Sequence, residues 1–397
     1  MTKRIETPLI VGNPFSPTGR GSTALRFLRA FQAAQYPIPI KDIYSYGYAI
    51  DQNIATEIAS NLVSSLSKTV NIYHINLDEI EPALAALNNK LPDGAYNIIY
   101  PFWELSKMPE VWVDQLTLFD EVWAPSQFIL STIKGAVAMS VYHMPLPVEM
   151  KLDSFLGRQY FGLPYGSYIF LLFFDFRSYI HRKNPQALID VFDRVCSTRP
   201  RADIRVVIKV HGEDASLQAK KDFQDFVSRI HISRYKNNII IINKLFTENE
   251  IRNLLRCSDC FVSLHRSEGF GLGLAEAMYL GKPVIATAYS GNLDFMSDET
   301  GLPVDYTLIP VEPGQYPYHE DNVWADPNKD QAADYMMQLI DDPMLGQCLG
   351  IRASQHIRTH FSHLALGLRY KQRLEHIYGS LPQFSGEHAL EPPPPAV

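Results

Sequence analysis

The sequence predicts an α/β protein of two doubly wound domains, each built around a parallel β-sheet. Its 397 residues favour two domains, because domains average roughly 150 residues. Short apolar runs alternate with amphipathic helical segments along most of the chain, which is typical of parallel sheets covered by helices on both faces. A charged, proline-containing segment between Pro145 and Tyr165 separates two halves of similar size.

The apolar runs have the length and near-continuous hydrophobicity of strands that are buried on both faces. Each run is therefore expected to add one strand to a parallel sheet. In chain order, they are Pro8–Val11, Val70–Ile75, Asn97–Tyr100, Glu121–Ala124, Tyr168–Phe174, Ile204–Val210, Asn238–Ile242, Cys260–Leu264 and Pro283–Thr287.

Two of the intervening helices have clear start signals. Asn184 followed by Pro185 is typical of a helix start, since asparagine caps a helix and proline fits its first turn. Thr247 and Glu250 have the spacing of a capping box, in which each side chain accepts a hydrogen bond from the other residue's backbone. Both helices follow predicted strands, as a doubly wound architecture requires.

Composition and charge narrow the functional class. The chain is 46% hydrophobic and 20% charged, with a net charge of −7, so disorder and electrostatic binding to nucleic acid are disfavoured. No apolar stretch approaches the ~20 residues of a membrane span, and the first residues lack the pattern of a signal peptide. We expect a cytoplasmic protein with no nucleic-acid partner and at most weak peripheral membrane contact.

Cys257 and Cys260 are expected to be small buried residues, with a metal or redox pair as the alternative.

The strongest chemical signal is the segment SEGFGLGLAEAMYLGKPVIAT at 267–287. Glu268 and Glu276 enclose seven residues, of which three are glycine, and the segment links a predicted strand to a helix. Glycines allow a ligand to approach the backbone, and the N–H groups of a helix start attract phosphate. Two carboxylates that flank such a start can accept hydrogen bonds from sugar hydroxyls. The pattern favours a nucleotide-sugar site, with a plain glycine-rich turn as the alternative.

This motif of two glutamates around a GFGL core resembles the signature of retaining glycosyltransferases of the GT-B fold, and the chain looks most similar to family 4 of these enzymes. The further segments NIIYPFWEL, FDFRSYIHRKNPQALIDVF, TAYSGNLDFM and VWADP occur in the same order as in a subfamily common in bacterial polysaccharide assembly. The resemblance implies two Rossmann-like domains that face each other across a cleft.

The implied division of the chain has four parts. Residues 1–160 would form an N-terminal acceptor domain and 161–360 a C-terminal domain that binds the nucleotide-sugar donor. Residues 361–380 would form a helix that crosses back to the N-terminal domain. The proline-rich end, 381–397, is expected to be a disordered tail.

The resemblance also implies which cations bind the donor diphosphate. Lys183 matches the family's lysine, and Arg177 its arginine. The family's usual glycine before this arginine is Phe176 here, so Arg182 is the alternative arginine. Two cations at a helix start would neutralise a diphosphate leaving group.

The remaining donor contacts come from the glutamate motif. By the same resemblance, Glu268 would hold hydroxyls of the donor sugar, and Glu276 would bind the ribose hydroxyls. Backbone N–H groups would contact the sugar and the phosphates from Phe270, Gly271 and Leu272.

The loop after the first strand carries a second glycine pattern. Gly19, Gly21 and Ala24 fit G-x-G-x-x-A, and Asp42 follows about 20 residues later, as in dinucleotide-binding turns. The distance along the chain between the strand and Gly19 argues against a dinucleotide, because that turn is tight. The resemblance instead assigns Gly19, Arg20 and Gly21 to a loop that closes on the donor diphosphate. A plain turn is the third alternative.

The segment PFWEL follows a predicted strand, so it is expected at the carboxyl edge of a sheet, where α/β proteins bind ligands. Trp103 and Glu104 are the candidate residues of the acceptor cleft. The tryptophan is either a sugar platform or part of the core, and the glutamate would orient or deprotonate the acceptor hydroxyl. His265 ends another buried strand, where a structural role is more common than a catalytic one.

The resemblance therefore implies a retaining glycosyltransferase that moves a sugar from GDP-mannose or a UDP-hexose to a hydroxyl of a glycan or lipid-linked glycan in cell-surface polysaccharide synthesis. No metal cofactor is expected, since the chain lacks an Asp-x-Asp motif and clustered metal ligands. Two alternatives stay open. One is another enzyme of this fold, such as a sugar-nucleotide epimerase or a dehydrogenase, and the other is a non-catalytic nucleotide-sugar-binding protein.

Overall fold

A computed structural model of the protein describes residues 7–16, 19–44 and 52–380, without the side chains of residues 19, 20 and 52. The chain divides into two compact units. The first comprises Met1–Ile75, Glu79–Tyr100 and Ser362–Val397, and the second comprises Asn76–Asp78 and Pro101–Phe361. The expected change of domain near residue 160 stays a prediction, and the expected tail at 381–397 lies outside the described residues.

The secondary structure alternates between strands and helices over most of its length. The strands are β1 (Leu9–Gly12), β2 (Ile40–Asp42), β3 (Val70–Tyr73), β4 (Tyr96–Ile99), β5 (Glu121–Ala124), β6 (Ser140–His143), β7 (Tyr168–Asp175), β8 (Ile204–His211), β9 (Ile239–Asn243), β10 (Cys260–Ser263), β11 (Val284–Thr287), β12 (Leu302–Val304), β13 (Tyr306–Pro310) and β14 (Val323–Pro327). The helices are α1 (Gly19–Ala33), α2 (Gln52–Ile58), α3 (Ile80–Ala86), α4 (Glu110–Leu116), α5 (Gln127–Lys134), α6 (Ile180–Lys183), α7 (Pro185–Thr198), α8 (Leu217–Ile232), α9 (Glu248–Cys257), α10 (Leu272–Tyr279), α11 (Lys329–Asp341), α12 (Pro343–His360) and α13 (His363–Ser380).

In the first unit, four parallel strands pair in the order β2-β1-β3-β4. The C-terminal helix α13 packs on α1 in the same unit. Gly367 lies so close to α1 that a Cβ atom there would be 1.9 Å from the carbonyl oxygen of Ala30. The rings of Phe27 and Tyr370 stack at 4.2 Å between the two helices. Aromatic packing and close backbone approach therefore fix the last helix to the first.

The second unit is built on a parallel sheet of six strands in the order β12-β11-β10-β7-β8-β9. It also contains the parallel pair β5–β6 and an antiparallel hairpin of β13 and β14. Strand β7 lies between β10 and β8 and is mostly buried. Because parallel strands have their carboxyl ends at one edge, the segments after β7, β8, β10 and β11 come together there.

The predicted α/β class with parallel sheets is confirmed, and each of the nine predicted apolar runs overlaps an observed strand. The capping box of Thr247 and Glu250 is also confirmed. Asn184 stands before α7 as predicted, but its side chain makes no capping hydrogen bond. Its amide nitrogen instead donates to the carbonyl oxygen of Leu264 at 2.9 Å, which ties the start of α7 to the end of β10. Cys257 and Cys260 are buried, as expected.

Candidate active site

Two glycines and several hydrogen bonds fix the backbone conformation around the glutamate motif. Gly271 precedes α10 with a φ of +90°, a conformation that other residues adopt only under strain. Gly291 lies so close to the motif that a Cβ atom there would be 2.2 Å from the carbonyl oxygen of Gly269. Its N–H donates to the carbonyl oxygen of Glu268 at 2.9 Å. The hydroxyl of Ser290 accepts from the N–H of Glu268 at 2.8 Å. The segment after β11 therefore fixes the position of Glu268.

A buried cluster of charges surrounds the Glu268 carboxylate. Lys183 Nζ donates to its Oε1 at 2.5 Å, and Arg182 donates to its Oε2 at 3.1 Å. Arg182 also donates to the carbonyl oxygen of Ser267 at 2.9 Å. Burial alone would raise the pKa of Glu268, but the charges of Lys183 and Arg182 outweigh it and lower the pKa to about 2. Glu268 is therefore an anion at every physiological pH and can accept hydrogen bonds but not donate a proton.

The chain between β7 and α7 brings both cations to this cluster. Tyr179 and Asn184 have positive φ angles of 60° and 50°, and the four-residue helix α6 lies between them. These two backbone reversals place Arg182 and Lys183, which are adjacent in the sequence, on the same carboxylate. Burial and the neighbouring Arg182 charge lower the pKa of Lys183 despite its pairing with Glu268. An additional negative charge near Lys183 would stabilise its ammonium form.

Arg177 lies in a different charge group at the carboxyl ends of β7 and β8. Its Nε donates to both carboxylate oxygens of Asp175, at 3.0 and 2.9 Å. One of its terminal nitrogens lies 3.4 Å from Nε2 of His211. Lys209 lies next to His211, and burial lowers the pKa of Lys209 to about 8. The structure thus brings Arg182, and not Arg177, to Lys183 and Glu268. Which arginine contacts a diphosphate stays a prediction.

The other donor-site residues lie on or beside α10. Glu276 is buried within this helix. Phe270 is buried and packs against Phe295, with ring centroids 5.2 Å apart, so only its backbone is suited to contact a ligand. Gly271 and Leu272 mark the start of the helix. The predicted contacts of this helix start with phosphate stay a prediction that is consistent with the positive end of a helix dipole.

The two acceptor candidates have contrasting environments. Trp103 is only 3% exposed, its ring packs against Trp112 at 4.8 Å, and its indole N–H donates to the carbonyl oxygen of Lys107 at 2.9 Å. Glu104 accepts a 2.6 Å hydrogen bond from the hydroxyl of Tyr316, a residue that sequence reasoning did not identify.

Glu104 is also connected to the donor-site cluster. Its Oε1 lies 3.8 Å from a terminal nitrogen of Arg182. Arg182 thus lies between the carboxylates of Glu104 and Glu268. Tyr316 lies between β13 and β14, far along the chain from Glu104, so no local pattern could have linked the two residues.

His265 has hydrogen-bond partners on both ring nitrogens. Nδ1 lies 3.0 Å from the hydroxyl of Ser263, and Nε2 lies 3.1 Å from the side-chain oxygen of Asn292. The residue is fully buried, and burial lowers its pKa, so the ring is neutral at physiological pH. These contacts agree with the structural role expected for this histidine.

The segment after β5 contacts the glutamate motif, and β6 contacts the segment after β11. The hydroxyl of Ser126 donates to the carbonyl oxygen of Gly269 at 2.6 Å. Asp294 accepts from the N–H of Gln127 and lies 2.6 Å from Nε2 of His143. These contacts hold the start of α5 against the motif, and sequence reasoning did not identify them.

The glycine loop of the first unit is described in part. α1 begins at Gly19, seven residues after β1 ends at Gly12, so the turn is longer than in dinucleotide sites. A Cβ atom at Gly21 would be 2.2 Å from the carbonyl oxygen of Ser16, which explains the glycine structurally. The side chain of Arg20 lies outside the described part. The contacts of Gly19, Arg20 and Gly21 with a diphosphate stay predictions.

Two further observations concern the described residues as a whole. Within 7–16, 19–44 and 52–380, no group of three or more His, Cys, Asp or Glu residues is arranged to hold a metal ion. In the same part of the chain, no helix has the length and hydrophobicity needed to cross a membrane.

Comparison with solved structures defines the class of fold. Anabaena HepE, solved with UDP and glucose, superposes with a TM-score of 0.68 at 12% identity, over 94% of this chain and 100% of that chain. Sucrose-phosphate synthase from Thermosynechococcus elongatus gives a TM-score of 0.68 at 13% identity, with the same coverage of 94% and 100%. At this identity the likeness shows the shared fold, which is the two-domain Rossmann-like GT-B architecture.

Comparison with protein families and curated relatives is more specific. Residues 171–356 match the family model described as "Glycosyl transferases group 1". D-inositol 3-phosphate glycosyltransferase of Arthrobacter is 29% identical over 50% of this chain and 41% of its own length. A GDP-mannose-dependent phosphatidylinositol monomannoside mannosyltransferase of Corynebacterium glutamicum is 23% identical over 51% of this chain and 46% of its own length. The alignments thus span less than half of each relative. The predicted resemblance to GT-B glycosyltransferases of the family 4 type is confirmed.

Proposed function

We propose that the protein is a retaining glycosyltransferase that transfers a hexose from a nucleoside-diphosphate sugar to a glycan hydroxyl. The observation that carries this proposal is the anionic Glu268, which Lys183 and Arg182 hold beside the glycine-led start of α10. An anion suits the hydroxyls of a sugar, whereas cations and a helix start suit its diphosphate. One compact group of residues thus has the chemistry that the sugar and the diphosphate of a nucleotide sugar require.

The residues would act by positioning and by charge stabilisation. Lys183, with Arg177 or Arg182, would balance the negative charge that develops on the departing diphosphate. Glu268 would orient the sugar through its hydroxyls so that the acceptor attacks from the face that the diphosphate leaves. The departing phosphate oxygen would take the acceptor proton. No protein nucleophile is needed in this scheme, and the new linkage keeps the anomeric configuration of the donor.

The comparisons support the choice of donors to be tested. The neighbour HepE binds UDP and glucose, and a curated relative uses GDP-mannose. We therefore propose a UDP-hexose or GDP-mannose as donor and a glycan or lipid-linked glycan as acceptor, in cytoplasmic steps of cell-surface polysaccharide synthesis. Incubation with UDP-glucose, UDP-galactose and GDP-mannose plus simple pyranosides tests this, with released nucleoside diphosphate and new glycoside measured by mass spectrometry. Binding of these donors without any release would contradict the proposal.

Sugar transfer is expected to continue in EDTA. The proposal assigns the neutralisation of the diphosphate to lysine, arginine and the start of α10, so no divalent ion is needed for this charge. The rate should stay within about twofold of the untreated enzyme. If a metal ion stabilised the diphosphate instead, it would contribute several kcal/mol to the transition state, and its removal would lower the rate by far more than twofold. Complete loss of transfer in EDTA, with recovery on addition of Mn²⁺ or Mg²⁺, would contradict metal independence.

Replacement of Glu276 with alanine is expected to weaken nucleotide binding more than it slows the chemical step. A carboxylate that binds the ribose contacts a part of the donor that does not change during transfer, and such a contact stabilises ground and transition states equally. The donor KM should rise about tenfold or more, as for a hydrogen bond to a charged group, with kcat within a few-fold. A variant with an unchanged KM and a much lower kcat would assign Glu276 to the chemistry instead.

A further inference from the structure

We propose that Tyr179 and Glu104 form the subsite for the acceptor sugar, with Tyr179 as its aromatic platform and Tyr316 as the residue that positions Glu104. This inference rests on the proposed function and adds the chemistry of the acceptor, which is a pyranose ring with hydroxyl groups. It assigns the platform role to a tyrosine on the loop after β7 and not to the buried Trp103.

The first observation is the exposure of Tyr179 beside the charge cluster. The residue is 42% exposed, although it lies only three and four residues before Arg182 and Lys183. Its φ of 60° is rare for a bulky side chain. Backbone strain of this kind is found where the surrounding structure holds a residue for a function. An exposed aromatic ring at such a position is suited to stack on the apolar face of a sugar.

The second observation is the chain of contacts from Tyr179 to Glu104. The ring centroids of Tyr179 and Tyr316 are 4.7 Å apart. The hydroxyl of Tyr316 donates to Glu104 at 2.6 Å. Burial and the Glu104 charge raise the pKa of Tyr316 well above its usual value, so this hydroxyl remains a donor across the physiological range. Tyr316 thus connects an exposed ring with a carboxylate in a fixed arrangement.

The third observation is the short path from Glu104 to the donor-sugar carboxylate. Arg182 lies 3.8 Å from Glu104 and 3.1 Å from Glu268. A sugar that is bound at Glu104 would therefore be separated from one bound at Glu268 by a single guanidinium group. Transfer requires two sugars in contact, so the position of Glu104 suits the acceptor.

The principal test compares Tyr179→Gly with Tyr318→Gly. Tyr318 is a closely matched control, because it is 43% exposed and has a positive φ of 53°. Its ring packs on Trp112 and not on Tyr316. Glycine tolerates positive φ in both places, so both variants are expected to fold. Tyr179→Phe keeps the ring and serves as the conservative replacement.

The assays use octyl hexopyranosides as ring-containing acceptors, glycerol as an acceptor without a ring, and UDP-glucose or GDP-mannose as donor. Tyr179→Gly is expected to raise the pyranoside KM by about tenfold, in line with the strength of aromatic contacts. Donor hydrolysis without acceptor, transfer to glycerol and the donor KM should change much less than the pyranoside KM. Tyr179→Phe and Tyr318→Gly should behave as the wild type. A normal pyranoside KM in Tyr179→Gly, or an equal rise in Tyr318→Gly, would overturn the inference.

Tyr316→Phe tests the positioning of Glu104. The variant keeps the ring against Tyr179 but removes the hydrogen bond to the carboxylate. We expect the pyranoside kcat to fall about tenfold while the donor KM is kept. In combination with Glu104→Ala, the two losses should be smaller than additive, because each variant removes one partner of the same hydrogen bond. Fully additive losses, or a lower thermal midpoint with normal kcat, would show that Tyr316 acts only on packing.

A binding measurement separates this inference from the proposed function. Saturation-transfer NMR with methyl hexopyranosides in the presence of UDP or GDP reports acceptor binding without turnover. Wild-type binding that disappears in Tyr179→Gly supports the subsite even if no tested donor reacts. A wild type that transfers sugar normally, with pyranoside binding unchanged in Tyr179→Gly, refutes the subsite alone. A wild type that neither transfers sugar nor binds any pyranoside refutes both.

Discussion

Replacement of Lys183 with alanine is expected to lower kcat by about 100- to 1,000-fold, which is the usual cost of losing one charge-stabilising contact in a transition state. The side chain is largely buried, and its ammonium group lies 2.5 Å from the Glu268 carboxylate. The charge that develops on a leaving diphosphate is greatest in the transition state, so the loss should appear in kcat more than in the donor KM.

The fold should tolerate this substitution. Arg182 keeps its 3.1 Å hydrogen bond to Glu268 in the variant, so the carboxylate does not become an unpaired buried charge. Lys221→Ala on the exposed face of α8 provides a control for the loss of a lysine as such. The measurements are steady-state kinetics and the affinity for the nucleoside diphosphate. A Lys183→Ala enzyme that folds normally and retains kcat within a few-fold would remove Lys183 from the site.

The same assay distinguishes the two candidate arginines. Arg182 is buried and contacts two carboxylates and a carbonyl oxygen, so Arg182→Ala should destabilise the protein as well as inactivate it. Arg177 is partly exposed and paired with Asp175. If it binds the diphosphate, Arg177→Ala should lower activity nearly as much as Lys183→Ala with little loss of stability. A fully active Arg177→Ala enzyme would leave Arg182 as the diphosphate arginine.

Strands buried on both faces could be predicted from the sequence because their apolar runs are nearly continuous. The strands that were not predicted lack this pattern. β6 alternates between exposed and half-buried residues, and β13 is mostly exposed, since it pairs only with β14 in a hairpin. β2 and β12 have three residues each, which is too short for a periodic signal. Their formation depends on pairing with other strands, and a local sequence pattern does not show which strands will pair.

The candidate site was predictable where its parts are close in sequence. The glutamate motif is recognisable from its local pattern and Lys183 from the resemblance to the family, and the structure brings Lys183 to Glu268 across 85 positions of the chain. The choice between Arg177 and Arg182 was not predictable, since it depends on the backbone reversals at Tyr179 and Asn184. Spacing along the chain does not reveal such reversals in residues other than glycine.

The link to the hairpin was unpredictable for a different reason. Tyr316 reaches Glu104 from a loop 212 positions later in the sequence, and nothing in either local segment indicates the contact. For Trp103 the sequence does carry a local signal, but that signal fits two different roles. An aromatic residue at the end of a strand suits a sugar platform and a core position equally well, and only its 3% exposure shows that it is buried.

We expect the product to keep the anomeric configuration of the donor, and this result tests the proposed function most directly. The variant Glu268→Gln tests the role of Glu268 in this outcome. The carboxylate is ionised above a pH of about 4, since Lys183 and Arg182 lower its pKa to about 2 in spite of burial. It should therefore contribute no acid limb to the pH–rate profile in the physiological range. Its contribution to stability is present above the pKa of an unfolded glutamate and is lost as the pH falls toward 2.

Glu268→Gln is expected to lower kcat by about 10- to 100-fold but not to abolish transfer. The amide keeps an oxygen that can accept a hydrogen bond, but it loses the charge that strengthens contacts with sugar hydroxyls by about 1.5–3 kcal/mol. The exposed Glu299→Gln provides the control for the same chemical change outside the site.

No covalent glycosyl-enzyme should be detected by mass spectrometry, because the proposed same-face attack does not use Glu268 as a nucleophile. Proton NMR of the purified product decides the assignment, since the coupling of the anomeric proton gives the configuration of the new linkage. A product with the inverted configuration would contradict same-face attack and would require a general base near the acceptor, for which Glu104 is the first candidate.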